Sequence, residues 1–412
     1  MKSSFLKNNW FTLTMVLGMV AGAVTGWLWP GATVLEPLGT IFINMMFCVV
    51  VPLVFFSISS AVANMVSARK AGKVMGTTVV TFLCTAAIAA IIMYVIVRVI
   101  GVVPSGFEAI EKVEADPVNV TALIVNFFTK PDFTDLFSRR AILPLIVAAI
   151  LFGFGVQLAG GRETPTAKLL ANINECLMKT MRIITYYAPI GFFGFFAYLV
   201  ATFGPEFLKG YGRTLIIYYV VAFAYMFIFA PIYSRFGGGK GATRVMWSHL
   251  FQPAAVSFGT CSSVATIPTN MEACEDTGVS KDVSEIVIPM GATMHMDGSA
   301  MSAIIKVAFL FAFFGQDFTT GRAILAIIVA VFSSVAMSVI PGGGGTGEMV
   351  LCSIFFPEQI GLALPIAWAL GDLVDPPATM VNAAMDYVST YIVSRYVDGK
   401  DWLQKKLNAA KE

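Results

Sequence analysis

Long apolar blocks divide the first part of the chain, and charged residues lie mainly between them. Six blocks predict membrane-spanning helices, at Trp10–Trp29, Ile41–Met65, Thr77–Val97, Ala141–Gly160, Leu177–Thr202 and Thr214–Ser234. A helix rises about 1.5 Å per residue, so about 20 residues cross a hydrocarbon core of about 30 Å. The spans are predicted to be helical because lipid offers no hydrogen-bond partner to an open peptide group.

The pattern changes after about Val245, where clusters of small and polar residues interrupt the apolar segments. The interruptions are Ser257–Asn270 and Ser333–Thr346, and full spans are predicted beside them, near Ile286–Phe314 and Leu362–Val393. A chain that turns back at membrane depth leaves peptide groups unpaired, which is tolerated where they line a polar cavity. We therefore predict an all-α membrane protein with eight transmembrane helices and two re-entrant helical hairpins, arranged as inverted repeats.

Composition and charge agree with this pattern. Hydrophobic residues make up 57% of the 412 residues and charged residues 13%, and the net charge of +2 gives no indication of nucleic-acid binding. A soluble domain carries about twice that charged fraction. The lysines and arginines between spans alternate so that both termini are predicted to be cytoplasmic, on a multi-pass protein of the cell (inner) membrane. The six cysteines form no CxxC pair, which argues against a disulfide framework or a zinc site.

Three aspartates lie well inside the last two predicted spans. Asp297 is in the first of them, and Asp375 and Asp386 are in the second. A carboxylate inside a membrane is costly unless it is paired or binds a cation, and few lysines or arginines are nearby in the sequence. Asp375, Thr379, Asn382 and Asp386 follow one side of a helix. Such oxygen ligands suit Na⁺ or a substrate ammonium group better than a transition metal.

The two interruptions carry a complementary chemistry. Ser262, Ser263 and Thr266 precede Pro268, where we expect the helix to break. A half-helix that begins at such a break presents free N–H groups to a carboxylate. The glycine run Gly342–Gly345 would let the second hairpin turn tightly and move as a gate, although a plain loop has the same composition.

Five segments, in order, resemble the dicarboxylate/amino acid:cation symporter family, which includes the archaeal aspartate transporter and the human excitatory amino acid transporters. They are VVPLVFFSISSAVANM from Val50, TCSSVATIPTN from Thr260, GATMHMDGSA from Gly291, IPGGGG from Ile340 and DPPATMVNAAMD from Asp375. The resemblance covers nearly the whole chain, and the shared order of the segments makes it specific.

This resemblance implies a sodium-coupled secondary symporter of the elevator type, which is not an enzyme and which forms a homotrimer in lipid. It assigns residues 1–244 mainly to scaffold and trimerisation helices, with spans 3 and 6 contributing to the transport domain, residues 245–396 to the transport core and 397–412 to a cytoplasmic tail. The implied substrate-binding residues are Ser262, Ser263, Thr266, Ser299, Gly344, Asp375, Ala378, Thr379 and Asn382. The implied Na⁺ ligands are His295 (through nearby backbone), Asp297, Asn382 and Asp386, and coupling to H⁺ stays open.

Some departures from the family pattern concern the substrate. Acidic-substrate members have an arginine where this chain has Ala378, and the positions of a supporting arginine hold Cys261 and Pro376. A second substrate carboxylate would then lack a bidentate partner. Asp375, which would bind an ammonium group, is usually missing from pure dicarboxylate members. We therefore expect sodium-driven uptake of a small neutral amino acid such as serine, threonine or alanine; the alternative is a sodium- or proton-coupled symporter for a dicarboxylate or an acidic amino acid.

Other departures concern coupling. His295 stands where the family has asparagine, and Lys306 falls deep in the same span. Either could place a positive charge where a sodium ion usually binds, which would lower the sodium stoichiometry or couple protons through His295. The alternative is that His295 is a neutral hydrogen-bonding substitute and that Lys306 snorkels or pairs locally. Glu348, near the second hairpin tip, is a candidate to face a cationic group of the substrate.

Two other functional classes fit the sequence less well. A channel requires a continuous polar face through several spans, whereas polar residues here concentrate in the last part of the chain. A membrane enzyme would need metal-ligand spacing or a nucleophile beside a base, and His249 and His295 are the two histidines of the sequence.

Overall fold

The computed structural model describes residues 2–63, 72–103, 125, 128–138, 141–337 and 344–409, which form helices and no strand. The first helices are α1 (Lys2–Leu28), α2 (Glu36–Ala63), α3 (Gly72–Ile100), α4 (Phe133–Leu136), α5 (Ile142–Leu158), α6 (Pro165–Thr185), α7 (Ala188–Phe203) and α8 (Pro205–Gly238). They are followed by α9 (Ala242–Thr260), α10 (Ser263–Thr277), α11 (Lys281–Met294), α12 (Asp297–Phe313), α13 (Thr320–Met337), α14 (Gly344–Phe355), α15 (Ile360–Val397) and α16 (Trp402–Ala409).

Three helical stretches in the described part of the chain are long and apolar enough to cross a membrane. They are Lys73–Ile100, Phe207–Gly238 and Lys281–Phe313. In the most apolar window of the third, 83% of the residues are buried within the protein, compared with 39% and 33% in the other two. The third stretch is therefore the centre of the packing rather than a lipid-facing helix. The number of eight spans stays a prediction.

The helices pack as two groups. In the first group, α1 lies on α7, and α2 lies on α5, α6 and α7. Gly18, Gly22 and Gly26 bring α1 against the backbone of α7, a spacing of small residues that lets membrane helices approach closely. In the second group, α3 and α8 pack with α9 to α15. The assignment of these groups to a scaffold and a moving domain stays a prediction.

Two predicted spans are interrupted, which corrects the sequence analysis. The span Leu177–Thr202 is divided between α6 and α7, because Pro189 near the start of α7 cannot continue a preceding helix. The span Ile286–Phe314 is divided between α11 and α12, where His295 leaves the helical conformation with φ −91° and ψ 102°. The break at His295 places peptide groups of this buried stretch within reach of side chains on other helices.

The first predicted hairpin is present, but its break lies elsewhere than expected. α9 ends at Thr260, and the next residue, Cys261, is a non-glycine residue in the left-handed region with φ 49°. α10 continues through Pro268. The break is set by Ser262, whose Oγ accepts a hydrogen bond from Ala265 N at 3.2 Å and so caps α10. The second hairpin is formed by α13 and α14. Part of its predicted glycine gate, Gly342–Gly345, lies outside the described residues, and Gly344 begins α14.

The predicted span Leu362–Val393 is helical and lies within α15, although α15 contains the pair Pro376 and Pro377. A proline has no N–H, so the carbonyl of Leu373 loses the partner that residue 377 would supply in an ordinary helix. Tyr219 on α8 replaces this partner, since its hydroxyl donates to Leu373 O at 2.9 Å. The bond joins α8 to α15 at the proline pair.

Removal of the Tyr219 hydroxyl tests whether its bond to Leu373 O stabilises the protein. Tyr219→Phe should lower the stability of the protein by about 1–3 kcal/mol, because the Leu373 carbonyl is left without a donor. Thermal unfolding of the purified protein in detergent measures the loss. As a control, Tyr198→Phe removes a hydroxyl from a ring that packs on Phe203 in the first group of helices, and it should have little effect. Equal effects of the two variants would contradict the role of Tyr219.

Candidate functional site

The break between α11 and α12 is held against α15 by one amide side chain. The N–H groups at the start of a helix have no partner within it. Two of them, from Gly298 and Ser299, donate to Asn382 Oδ1 at 2.8 and 3.3 Å. Asn382 Nδ2 in turn donates to Ser299 Oγ at 3.0 Å. If Asn382 binds substrate or Na⁺, it does so through an amide that is already hydrogen-bonded to the first residues of α12.

The break also positions a histidine between two carboxylates. His295 Nδ1 lies 2.9 Å from Asp386 Oδ1, and His295 Nε2 lies 3.4 Å from Asp297 Oδ1. All three residues are fully buried. On the α11 side, a side chain on Gly291 would collide with the Asp386 carboxylate, so glycine allows this close approach. Three of the four expected Na⁺ ligands are thus together, with an imidazole ring between the two acids.

Helices α3 and α8 complete this cluster with residues that sequence analysis missed. Thr85 Oγ1 lies 3.1 Å from His295 Nε2, and the ring of Phe82 stacks on the imidazole with centroids 4.4 Å apart. Tyr225 donates to Asp297 Oδ2 at 2.9 Å. The available signal was a hydroxyl inside an otherwise apolar span, but nothing local shows which partner such a hydroxyl meets.

Asp375 lies in a different setting. Its side chain is exposed, whereas Asp297 and Asp386 are buried. Thr379 Oγ1 donates to Asp375 Oδ1 at 3.0 Å, as expected for residues one turn apart on one side of a helix. The thiol of Cys261 at the first hairpin tip also interacts with this carboxylate. The hairpin tip and α15 therefore meet at a carboxylate that a bound molecule can reach.

Four other expected substrate-binding residues, at the first hairpin tip and on α15, differ in how far they are buried. Ser262 caps α10, and Ser263 is its first residue. Thr266 is buried and donates to Ser262 O at 2.9 Å, so its hydroxyl is used within the hairpin. Ala378 is also buried, against the backbone of Gly298. The structure therefore brings the Ser262–Ser263 turn and Asp375 together, and it places Thr266 and Ala378 inside the packing.

Lys306 has a partner in the second hairpin. Its ammonium group on α12 forms a salt bridge with Glu348 on α14, and both side chains are nearly buried. Gly371 on α15 gives the pair room, because a side chain there would meet Glu348 Oε1. Lys306 thus pairs locally, which was one of the two alternatives. Lys306 bonds Glu348 Oε1, whereas Glu348 Oε2 has no hydrogen-bond partner among the described residues, so the expectation that Glu348 faces a cationic substrate group stays a prediction.

Acidic groups outnumber basic groups around Asp375. Asp372, Asp375 and Glu348 interact electrostatically with one another and with Lys306. Three carboxyl groups therefore lie near one ammonium group, and this group is already bonded to Glu348. Such surroundings favour a bound molecule that carries a positive group toward Asp375.

Comparison with known proteins bears on the whole chain. The model of the sodium:dicarboxylate symporter family matches residues 11–396. The chain is 26% identical over 402 residues to the C4-dicarboxylate transport protein of Bacillus subtilis, with 93% of each chain covered. It is 24% identical to the C4-dicarboxylate transport protein of Rhizobium leguminosarum, with 95% of this chain and 89% of the relative covered. C4-dicarboxylate transport protein 3 of Bradyrhizobium diazoefficiens is 25% identical, with 96% and 90% covered. These matches confirm the resemblance seen in the five motifs.

The buried ion pair generates a prediction. Lys306→Met should destabilise the protein by about 3–5 kcal/mol, because it leaves the Glu348 carboxylate buried without a counter-charge. Adding Glu348→Gln should restore much of the stability, since no unpaired charge then remains. The matched control is Lys179→Met, which breaks an exposed pair with Glu175 at 2.7 Å and should change stability by less than about 1 kcal/mol. Thermal unfolding in detergent measures all four proteins, and a Lys306→Met variant as stable as the control would contradict the assignment.

Proposed function

This chain belongs to the sodium:dicarboxylate symporter family, and from this premise we propose that it carries an acidic substrate, a dicarboxylate or an acidic amino acid, together with a coupling cation. The observation that carries the proposal is the match over nearly the whole chain to relatives that are named C4-dicarboxylate transport proteins. The chain is accordingly a multi-pass membrane symporter. The comparisons do not support the expected neutral amino acid, and they favour the alternative stated with it.

A carboxylate of the substrate has a suitable partner at the first hairpin tip. The first N–H groups of α10 are not bonded within the helix, and Ser262 Oγ satisfies the one on Ala265. Those of Ser263 and Val264 remain at the positive end of the helix, where anions are stabilised. The corresponding groups of α12 are less available, because Asn382 holds those of Gly298 and Ser299.

Within the acidic class, the geometry around Asp375 favours an amino acid over a plain dicarboxylate. Asp375 is exposed, and two further acidic side chains, Asp372 and Glu348, lie near it, while the nearby ammonium group of Lys306 is bonded to Glu348. A plain dicarboxylate would bring two more negative charges to this place. An acidic amino acid brings an ammonium group that pairs with Asp375, so an aspartate- or glutamate-like substrate reconciles the family with the site.

A small neutral amino acid is the second candidate, because of the position of Ala378. The acidic-substrate members of the family carry an arginine there, whereas Ala378 is small and buried. Lys306, the cation that interacts with Asp375, is bonded to Glu348. A second substrate carboxylate would then depend on backbone N–H groups alone, which a neutral amino acid does not require.

The mode of transport follows from the same premise. We propose an elevator in which α3 and α8 to α15 move against α1, α2 and α5 to α7, and a homotrimer in the inner membrane with both termini cytoplasmic. The division is supported by the packing of these helices as two groups. The coupling cation is Na⁺ or H⁺.

Uptake by proteoliposomes tests the function. Radiolabelled succinate, fumarate, aspartate, glutamate, serine and alanine are offered with a sodium gradient, with a proton gradient, and with neither. Aspartate or glutamate should accumulate when a cation gradient is imposed. Accumulation of serine or alanine but of no acidic substrate would favour the second candidate. No gradient-driven accumulation of any carboxylate would contradict symport.

A variant at Asp375 tests the ammonium partner. Asp375→Asn should lower the uptake of an acidic amino acid about ten- to a hundredfold, because a hydrogen bond to a charged group contributes about 1.5–3 kcal/mol. Uptake of succinate should not fall, since it has no ammonium group. Asp372→Asn, one turn earlier on α15, should lower uptake of the amino acid far less, because it removes a neighbouring acid and not the ammonium partner. An equal loss of succinate and amino acid uptake in Asp375→Asn would contradict this role.

A further inference from the structure

His295 occupies the place where the family resemblance leads one to expect sodium. The two carboxylates that would bind Na⁺, Asp297 and Asp386, each lie against one nitrogen of its ring. The ring is buried and held by stacking on Phe82 with an interplanar angle of 12°. An imidazole ring therefore lies between the two acids.

The surroundings of its two nitrogens indicate the protonation state of the His295 ring. Thr85 Oγ1 lies 3.1 Å from His295 Nε2 and 3.2 Å from Phe82 O. Nε2 also lies 3.4 Å from Asp297 Oδ1. Nδ1 faces Asp386 Oδ1 at 2.9 Å, and an ionised carboxylate accepts and does not donate. Each ring nitrogen thus faces a carboxylate oxygen, and with both acids ionised both nitrogens are donors, which describes an imidazolium cation.

A ring nitrogen that carries a hydrogen has no lone pair for a metal ion. The imidazolium therefore supplies positive charge to the two carboxylates from within the protein. With His295 as a cation, Asp297, Asp386 and residue 295 sum to one negative charge; with asparagine at this position, the family residue, they would sum to two. The buried oxygens Asp297 Oδ1 and Asp386 Oδ2 have no hydrogen-bond partner among the described residues, which is compatible with the remaining negative charge.

We propose that His295 is a resident cation that takes the place of one coupling sodium ion between Asp297 and Asp386. The protein would then bind one sodium ion fewer than the same fold with asparagine at this position. The ring stays charged throughout, so the proposal assigns it no proton to release. It rests on the proposed cation-coupled transport, and it concerns only which positive charge neutralises this pair of acids.

The test is a substrate-free measurement of sodium binding. Wild-type protein, His295→Asn and His249→Asn are purified in detergent, and their thermal unfolding is followed while sodium chloride replaces choline chloride at constant ionic strength. An ion that binds the folded state raises the unfolding temperature with concentration. His295→Asn should show a larger sodium-dependent rise than the wild type, because the two carboxylates now need a mobile cation. His249, partly buried and 3.8 Å from Asp276, lies outside the cluster, so His249→Asn should follow the wild type.

The opposite results are equally clear. The same sodium dependence in the wild type and in His295→Asn would overturn the proposal. Where His295→Asn does not fold even at high sodium, His295→Gln provides a second neutral side chain and the same comparison. In proteoliposomes, the Hill coefficient for sodium activation should rise by about one in the variant. Because unfolding is measured without substrate, failure of the uptake assay alone refutes the proposed function and leaves this inference standing.

Discussion

Buried negative charge is the constraint on which the rest of this structure depends. A buried carboxylate is costly without a positive partner, and the described part of the chain has three such carboxylates in its packed core. Asp297 and Asp386 share His295, and Glu348 has Lys306. Asp375 is treated differently, since it is exposed and its nearest partner is the Thr379 hydroxyl. Asp375, whose neighbour Lys306 is bonded to Glu348, is thus an acid that a transported molecule can reach, and this difference divides the site into an internally neutralised part and a part open to a ligand.

Side chains satisfy the peptide groups that the helix breaks and the proline pair leave without a helical partner. Asn382 on α15 accepts from the start of α12, Tyr219 on α8 donates to α15 at its proline pair, and Ser262 caps the second arm of the first hairpin. Each bond replaces one that the broken helix has lost, so the peptide groups at membrane depth do not need water. The broken helices can therefore be as well ordered as continuous ones, and the hairpin tip keeps a defined position beside Asp375.

The sequence indicated the apolar spans, the family and the acidic stripe of α15, because these depend on composition, on motifs and on helical periodicity. The pairing of Asp375 with Thr379 followed from their spacing. The partners of His295, Asp297 and Lys306 did not, since Thr85, Tyr225 and Glu348 are far away in the chain and only tertiary packing brings them together. The break at Cys261–Ser262 was misplaced to Pro268 because the cap on α10 outweighs a proline that the helix accommodates.

The bond between Tyr219 and the Leu373 carbonyl has an evolutionary consequence. A proline at position 377 creates the need for a donor on α8, and the tyrosine is useful there only while that need exists. Neither residue can therefore drift alone without loss, and the favourable route between sequences with and without the pair changes both. Among descendants of this protein, positions 219 and 377 should covary although they lie on different helices. Such covariation would indicate that α8 contacts α15 at the proline pair.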